Sequence, residues 1–138
     1  MLQELNEVLN SGNSTQHFFS PFFMSKLLDE KGGYNFSKVA RWTKKFNLFQ
    51  KEYVFCPVNY INEHWALIII CIKSKFIYYF DSLRRKGQRY LDGALTYLED
   101  LSATLDLSFN SSEWSLVSNP LYMPTQMVSI FFSFNLNI

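Results

Sequence analysis

The chain has 138 residues, 48% hydrophobic and 18% aromatic, with 13 Lys and Arg against 12 Asp and Glu for a formal net charge of +1. That length suits one domain with ample apolar material for a core. A charge so near zero leaves no electrostatic footprint for nucleic acid, which is therefore not expected as a partner.

Cys56 and Cys71 each sit inside an apolar run, so buried reduced thiols are expected rather than a disulfide framework. No cofactor and no metal site are expected. The opening MLQELNEVLN lacks the basic flank and apolar run of a secretory signal. Ala66–Ile72 and Met127–Ile138 are both too short to cross a bilayer. A soluble, intracellular, monomeric protein without membrane association is the simplest expectation.

Leu2, Leu5, Val8 and Leu9 follow helical spacing, and Ser11-Gly12-Asn13 stops that run. Ser20-Pro21 reads as an N-cap with proline in the first turn, opening a helix through Leu28 that Lys31-Gly32-Gly33 ends. A further helix is predicted from Asn35 or Ser37 to Phe46, with Val39, Trp42 and Phe46 inward and Lys38, Arg41, Lys44 and Lys45 in solvent. Three runs rich in β-branched and aromatic residues follow: Tyr53–Val58, Trp65–Ile72 and Lys75–Phe80. With turn-like residues between them they predict a three-stranded antiparallel meander. Arg84, Arg85 and Lys86 then form a loop read as solvated. Leu91, Leu95, Leu98, Leu101 and Leu105 predict a long amphipathic helix, and Glu113–Val117 a last strand before Asn119-Pro120.

The meander places two polar residues at strand ends, His64 and Asp81. If Lys73-Ser74 is a tight turn, Ile72 faces Lys75 and Asp81 lies opposite Ala66. Parity then puts Asp81 on the same face as His64, a diagonal neighbour about 7–8 Å away at the backbone. A carboxylate that fixes an imidazole tautomer is half of a nucleophilic site. The alternative is a surface histidine beside an unrelated turn carboxylate.

Several stretches, taken together and in order, resemble the SUMO-specific (ubiquitin-like-protein-specific) cysteine proteases. They are Phe18-Phe19-Ser20-Pro21-Phe22-Phe23 with Lys26-Leu27; Val39-Ala40-Arg41-Trp42-Thr43-Lys44; Pro57-Val58-Asn59; His64-Trp65-Ala66-Leu67; Tyr79-Phe80-Asp81-Ser82-Leu83; and Pro124-Thr125-Gln126. The resemblance implies an α+β, papain-like cysteine-protease fold, incomplete at both ends. Residues 1–126 would be a partial catalytic domain and residues 127–138 a tail foreign to the family. It further implies that His64 is the base, Asp81 its orienting carboxylate and Gln126 the oxyanion donor. Trp65 would lie flat on the diglycine end of the modifier; core packing is the alternative for its indole. The implied partner is SUMO or another ubiquitin-like modifier with its conjugates. The implied compartment, from the family alone, is the nucleus.

The expected nucleophile is missing. The family continues from its Gln as Gln-x-Asn-Gly-x-Asp-Cys-Gly, whereas Gln126 is followed by Met127-Val128-Ser129-Ile130-Phe131-Phe132. Cys71 is seven residues beyond His64, about 23 Å along one strand and on the opposite face. If Asn59 pairs with His64, Cys56 pairs with Leu67, about 10 Å up the ladder. The sequence thus offers a base, an orienter and an oxyanion donor without an attacking group. Three functions follow: a cysteine-peptidase family member inactive as written, a non-catalytic module that binds a ubiquitin-like protein, or a domain with no such partner. The abrupt change after Gln126 reads as a retained intron or a misplaced exon boundary; the alternative is a genuine C-terminal strand over Ile130–Phe134.

Overall fold

A computed structural model of the chain describes residues 15–60 and 64–121. The predicted N-terminal helix, Gln126 and the tail lie outside the described residues. Among the described residues, five strands form one mixed sheet in sequence order: β1 (Gln16–Phe18), β2 (Tyr53–Asn59), β3 (Trp65–Cys71), β4 (Phe76–Asp81) and β5 (Ser115–Ser118). The central three are the antiparallel meander, and β1 and β5 flank it in parallel with β2 and β4. Helix α1 (Pro21–Leu27) connects towards β2, and α2 (Gln88–Thr104) joins β4 to β5.

The alternation of the strands decides where the helices pack. Val54, Cys56 and Val58 of β2, Ala66, Ile68 and Ile70 of β3, and Ile77 and Tyr79 of β4 share a face. Phe23, Met24 and Leu27 of α1 and Leu91, Ala94, Tyr97, Leu98 and Leu101 of α2 pack onto it in one continuous core. Phe18, Phe55, Leu67, Ile69 and Cys71 point the other way into a second, smaller cluster.

Pro57 sits inside a central strand, where a missing N–H normally costs a ladder bond. Phe55 directs its carbonyl to β1, accepting from the Phe19 amide, so Pro57, of the same parity, turns its nitrogen the same way. β1 pairs only as far as Phe55, so no ladder bond is asked of Pro57.

Asp81 pairs with Ala66, as a turn at Lys73-Ser74 requires. The β2–β3 register differs from expectation by one residue: Asn59 pairs with Trp65 and Cys56 with Ile68. Tyr60 donates its amide to the His64 carbonyl, so the ladder closes one residue later than supposed. The predicted helix from residue 35 to 46 is not α-helical. It is a 3-10 turn at Phe36–Lys38 followed by successive turns, with Val39, Trp42 and Phe46 amides each donating three residues back. Phe36, Val39 and Trp42 recur every third residue, which stacks them on one side of a three-residue period. Lys38, Arg41, Lys44 and Lys45 are exposed, as expected of a solvated side.

Candidate active site

β3 begins where β4 ends, so their antiparallel pairing brings His64 and Asp81 to one end of the sheet. His64 Nε2 lies 2.5 Å from Asp81 Oδ1, and both side chains are buried. Asp81 accepts two further bonds, from the Leu83 amide at 2.7 Å and from the Tyr79 hydroxyl at 2.9 Å. Burial pushes the Asp81 carboxyl up, but the bonds from His64, Leu83 and Tyr79 together outweigh it and hold the group below the usual carboxylate range. Asp81 is therefore an anion aimed at an imidazole. With Nε2 engaged, Nδ1 is the nitrogen left to take a proton from an attacking group.

Two tyrosines complete the surroundings. The Tyr60 ring stacks on the His64 imidazole, centroids 4.1 Å apart and planes 14° off parallel. Its hydroxyl lies 2.7 Å from that of Tyr79. Burial raises both phenols well above their ordinary value, so both stay protonated and able to donate. Tyr90 of α2 stacks on Tyr79 at 5.8 Å. His64, Tyr60 and Tyr90 open onto a cleft of about 450 Å³ whose rim carries Leu83, Arg85 and Arg89.

Asn119 fixes the far side. Its backbone is left-handed, with φ 49°, a conformation asparagine tolerates better than most residues. From there its side chain accepts the Asp81 amide at 2.9 Å and donates to the Arg85 carbonyl at 2.9 Å. The end of β4 and the loop after it are thereby tied to the end of β5.

Gly87 shows how closely the site is packed. A Cβ there would stand 2.3 Å from the Tyr79 ring, a rigid and buried group. Gly87→Ala is expected to destabilise the fold by about 1–3 kcal/mol through this overpacking. Chemical denaturation checks it, and the displaced Tyr79 ring should also shift the His64 imidazole resonances.

The structure brings His64 and Asp81 together. Trp65 is half-buried and packs with Phe80 against the second cluster, on the face opposite His64. Gln126 lies outside the described residues. Cys56 is fully buried and pairs with Ile68, four residues along from His64, about 13 Å up the ladder. Cys71 is buried on the opposite face. Burial pushes the Cys71 thiol up to about 12 and the Cys56 thiol higher still. Neither is a thiolate at neutral pH, and neither reaches the imidazole. Among the described residues no group of three His, Cys, Asp or Glu side chains could hold a metal ion, and no helix is long and apolar enough to cross a membrane.

Sequence reasoning did not single out Tyr60, Tyr79 or Asn119. For Tyr79 the signal was there: it shares its parity with Asp81, two residues on, so any register that aims Asp81 at His64 places Tyr79 beside both.

Residues 1–120 match the Ulp1 protease family, C-terminal catalytic domain. Sentrin-specific protease 2 of Homo sapiens is 38% identical over 129 residues, which are 92% of this chain and 21% of that protein. Ubiquitin-like-specific protease 1A of Arabidopsis thaliana is 31% identical over 103 residues, covering 71% of this chain and 20% of that protein. The chain thus spans about a fifth of the length of these curated relatives. Among solved structures, the C-terminal Ulp1 protease domain in complex with Smt3, the yeast orthologue of SUMO, superposes with a TM-score of 0.70. The match covers 97% of this chain and 61% of that one at 22% identity, a likeness of fold.

Proposed function

The chain belongs to the Ulp1 protease family, and on that premise we propose that it carries the base-and-orienter half of a cysteine-peptidase site acting after the diglycine of SUMO or a related modifier. The observation that supports the reading most directly is the buried His64–Asp81 pair at 2.5 Å, at the edge of an open cleft. In such a site an attacking thiol passes its proton to Nδ1, and Asp81 stabilises the imidazolium through Nε2. The tautomer is set by the acceptor: Asp81 takes Nε2–H, which leaves the Nδ1 lone pair facing the incoming proton. Gln126 is proposed to donate to the developing oxyanion, and Trp65 to lie against the extended diglycine, where any side chain on the substrate would clash.

A second reading is carried by the two cysteines. Both are buried and remote from His64, so the 138 residues as they stand suit binding without turnover. Calorimetric titration with unmodified SUMO tests the shared part of the two readings. Saturable binding, weakened about tenfold or more by Trp65→Ala, is expected, since a buried indole against a partner is a frequent hot spot. Absence of binding at high micromolar SUMO would refute both and leave His64 and Asp81 as structural residues.

A further inference from the structure

Asp81 is an acceptor only, so the Tyr79 hydroxyl spends its single proton on Oδ2. The Tyr79 oxygen must then accept in its 2.7 Å contact with Tyr60, which makes Tyr60 the donor. The bonds therefore run in one direction, from Tyr60 to Tyr79 to Asp81, where they meet the bond from His64 Nε2. The chain returns on itself, because the Tyr60 ring lies flat on the imidazole whose partner its hydroxyl indirectly holds. A backbone bond from the Tyr60 amide to the His64 carbonyl, 3.1 Å long, closes the same loop.

We infer that Tyr60 and Tyr79 are positioning residues for His64: Tyr60 clamps the imidazole plane, and the Tyr60–Tyr79–Asp81 relay holds the ring in the Nε2–H tautomer that leaves Nδ1 unprotonated. This rests on the reading of His64 as the base. The two tyrosines act on that base in opposite senses. The Tyr79 hydroxyl shares the charge of the carboxylate; without it Oδ2 is bare and buried, and an imidazolium beside it is favoured. The Tyr60 π-face stabilises the imidazolium from above, so losing the ring disfavours it. Glu30, Arg85 and Arg89 also line the cleft beside His64. They are the same in every variant below, so their field cancels in the comparison.

Long-range ¹⁵N NMR of the imidazoles tests this in the intact 138-residue chain, without any peptidase activity. The chain has only two histidines, and His17, wedged between Phe19 and Phe46 with its pKa lowered to about 4 chiefly by burial, serves as an internal control. The wild-type neutral ring of His64 should be the Nε2–H tautomer. Tyr79→Phe should raise the His64 titration midpoint, and Tyr60→Leu should lower it. Tyr60→Leu should also cut the tautomer ratio about tenfold, the factor that one net hydrogen bond corresponds to. Tyr60→Phe keeps the stacked ring and loses one oxygen. It should cut the tautomer ratio as Tyr60→Leu does, because the relay loses the same hydroxyl, but move the midpoint slightly upward. Because it removes a single atom from a half-buried side chain, it remains informative if Tyr60→Leu does not fold. Unshifted midpoints in Tyr79→Phe and Tyr60→Phe, with the wild-type tautomer ratio, overturn the inference. Shifts as described in a chain that fails to bind SUMO would uphold the positioning roles and remove the proposed function.

Discussion

Incubated with a SUMO precursor or with a diglycine-terminated electrophile, the 138-residue chain is expected to give neither cleavage nor a covalent adduct. Loss of one member of a catalytic unit alone costs several orders of magnitude in rate. Among the described residues neither cysteine can supply the attacking atom. Cys56 is enclosed in the core under the helices, and Cys71 points into the opposite cluster, its thiol raised to about 12. Intact-mass spectrometry after labelling checks the expectation. Turnover or labelling abolished by Cys56→Ala or Cys71→Ala would show that the strands open far enough to expose a thiol, and would overturn the assignment of these cysteines to the core.

Asp81→Ala is expected to destabilise the fold by several kcal/mol, since each buried donor left without its acceptor costs about 1–3 kcal/mol. Three donors lose their acceptor at once: His64 Nε2, the Tyr79 hydroxyl and the Leu83 amide. Asp81→Asn should cost less, because an amide oxygen still accepts from two of them. The same group gives the fold an acid limit. Its carboxyl titrates below the ordinary value in the folded chain, so the native state binds fewer protons there than the unfolded chain. The associated stability is present above the unfolded carboxylate pKa of about 3.9 and is lost as the pH falls through the lower folded value. Thermal unfolding between pH 7 and pH 3 should show a steeper loss for the wild type than for Asp81→Asn. Parallel curves would mean that the carboxylate gains nothing from its three donors.

How much of this was legible beforehand depended on how firmly each local pattern fixes its own geometry. The pairing of Asp81 with Ala66 could be deduced because a tight turn and a period of two leave one answer. The β2–β3 register could not, because the gap from Asn59 to Glu63 does not fix a loop length, and the observed pairing lies one residue from the expected one. The stretch from Phe36 to Phe46 departs from the predicted helix because spacings of three and four fit both a 3-10 succession and an α-helix; β-branched Val39 and aromatic Trp42 do not favour the latter. Strand β1 is three residues long and exists only through its pairing with β2, so no local signal announces it. Of the site, the dyad could be placed from the strands that carry it. Tyr60 and Asn119 reach it from loops whose course only the folded chain reveals.

The His64–Asp81 bond is carried by one hairpin and its flanks, 17 residues apart in sequence. The tie from Asn119 to Asp81 spans 38 residues and waits for α2 and β5. Loop-closure entropy rises with separation, and hairpins form in about 1–10 μs. His64 and Asp81 therefore belong to the fast, local part of the folding reaction, and Asn119 to a later step. A nascent chain that has released little more than β4 already holds both partners of the dyad, well before any residue that lies beyond β5 has left the ribosome.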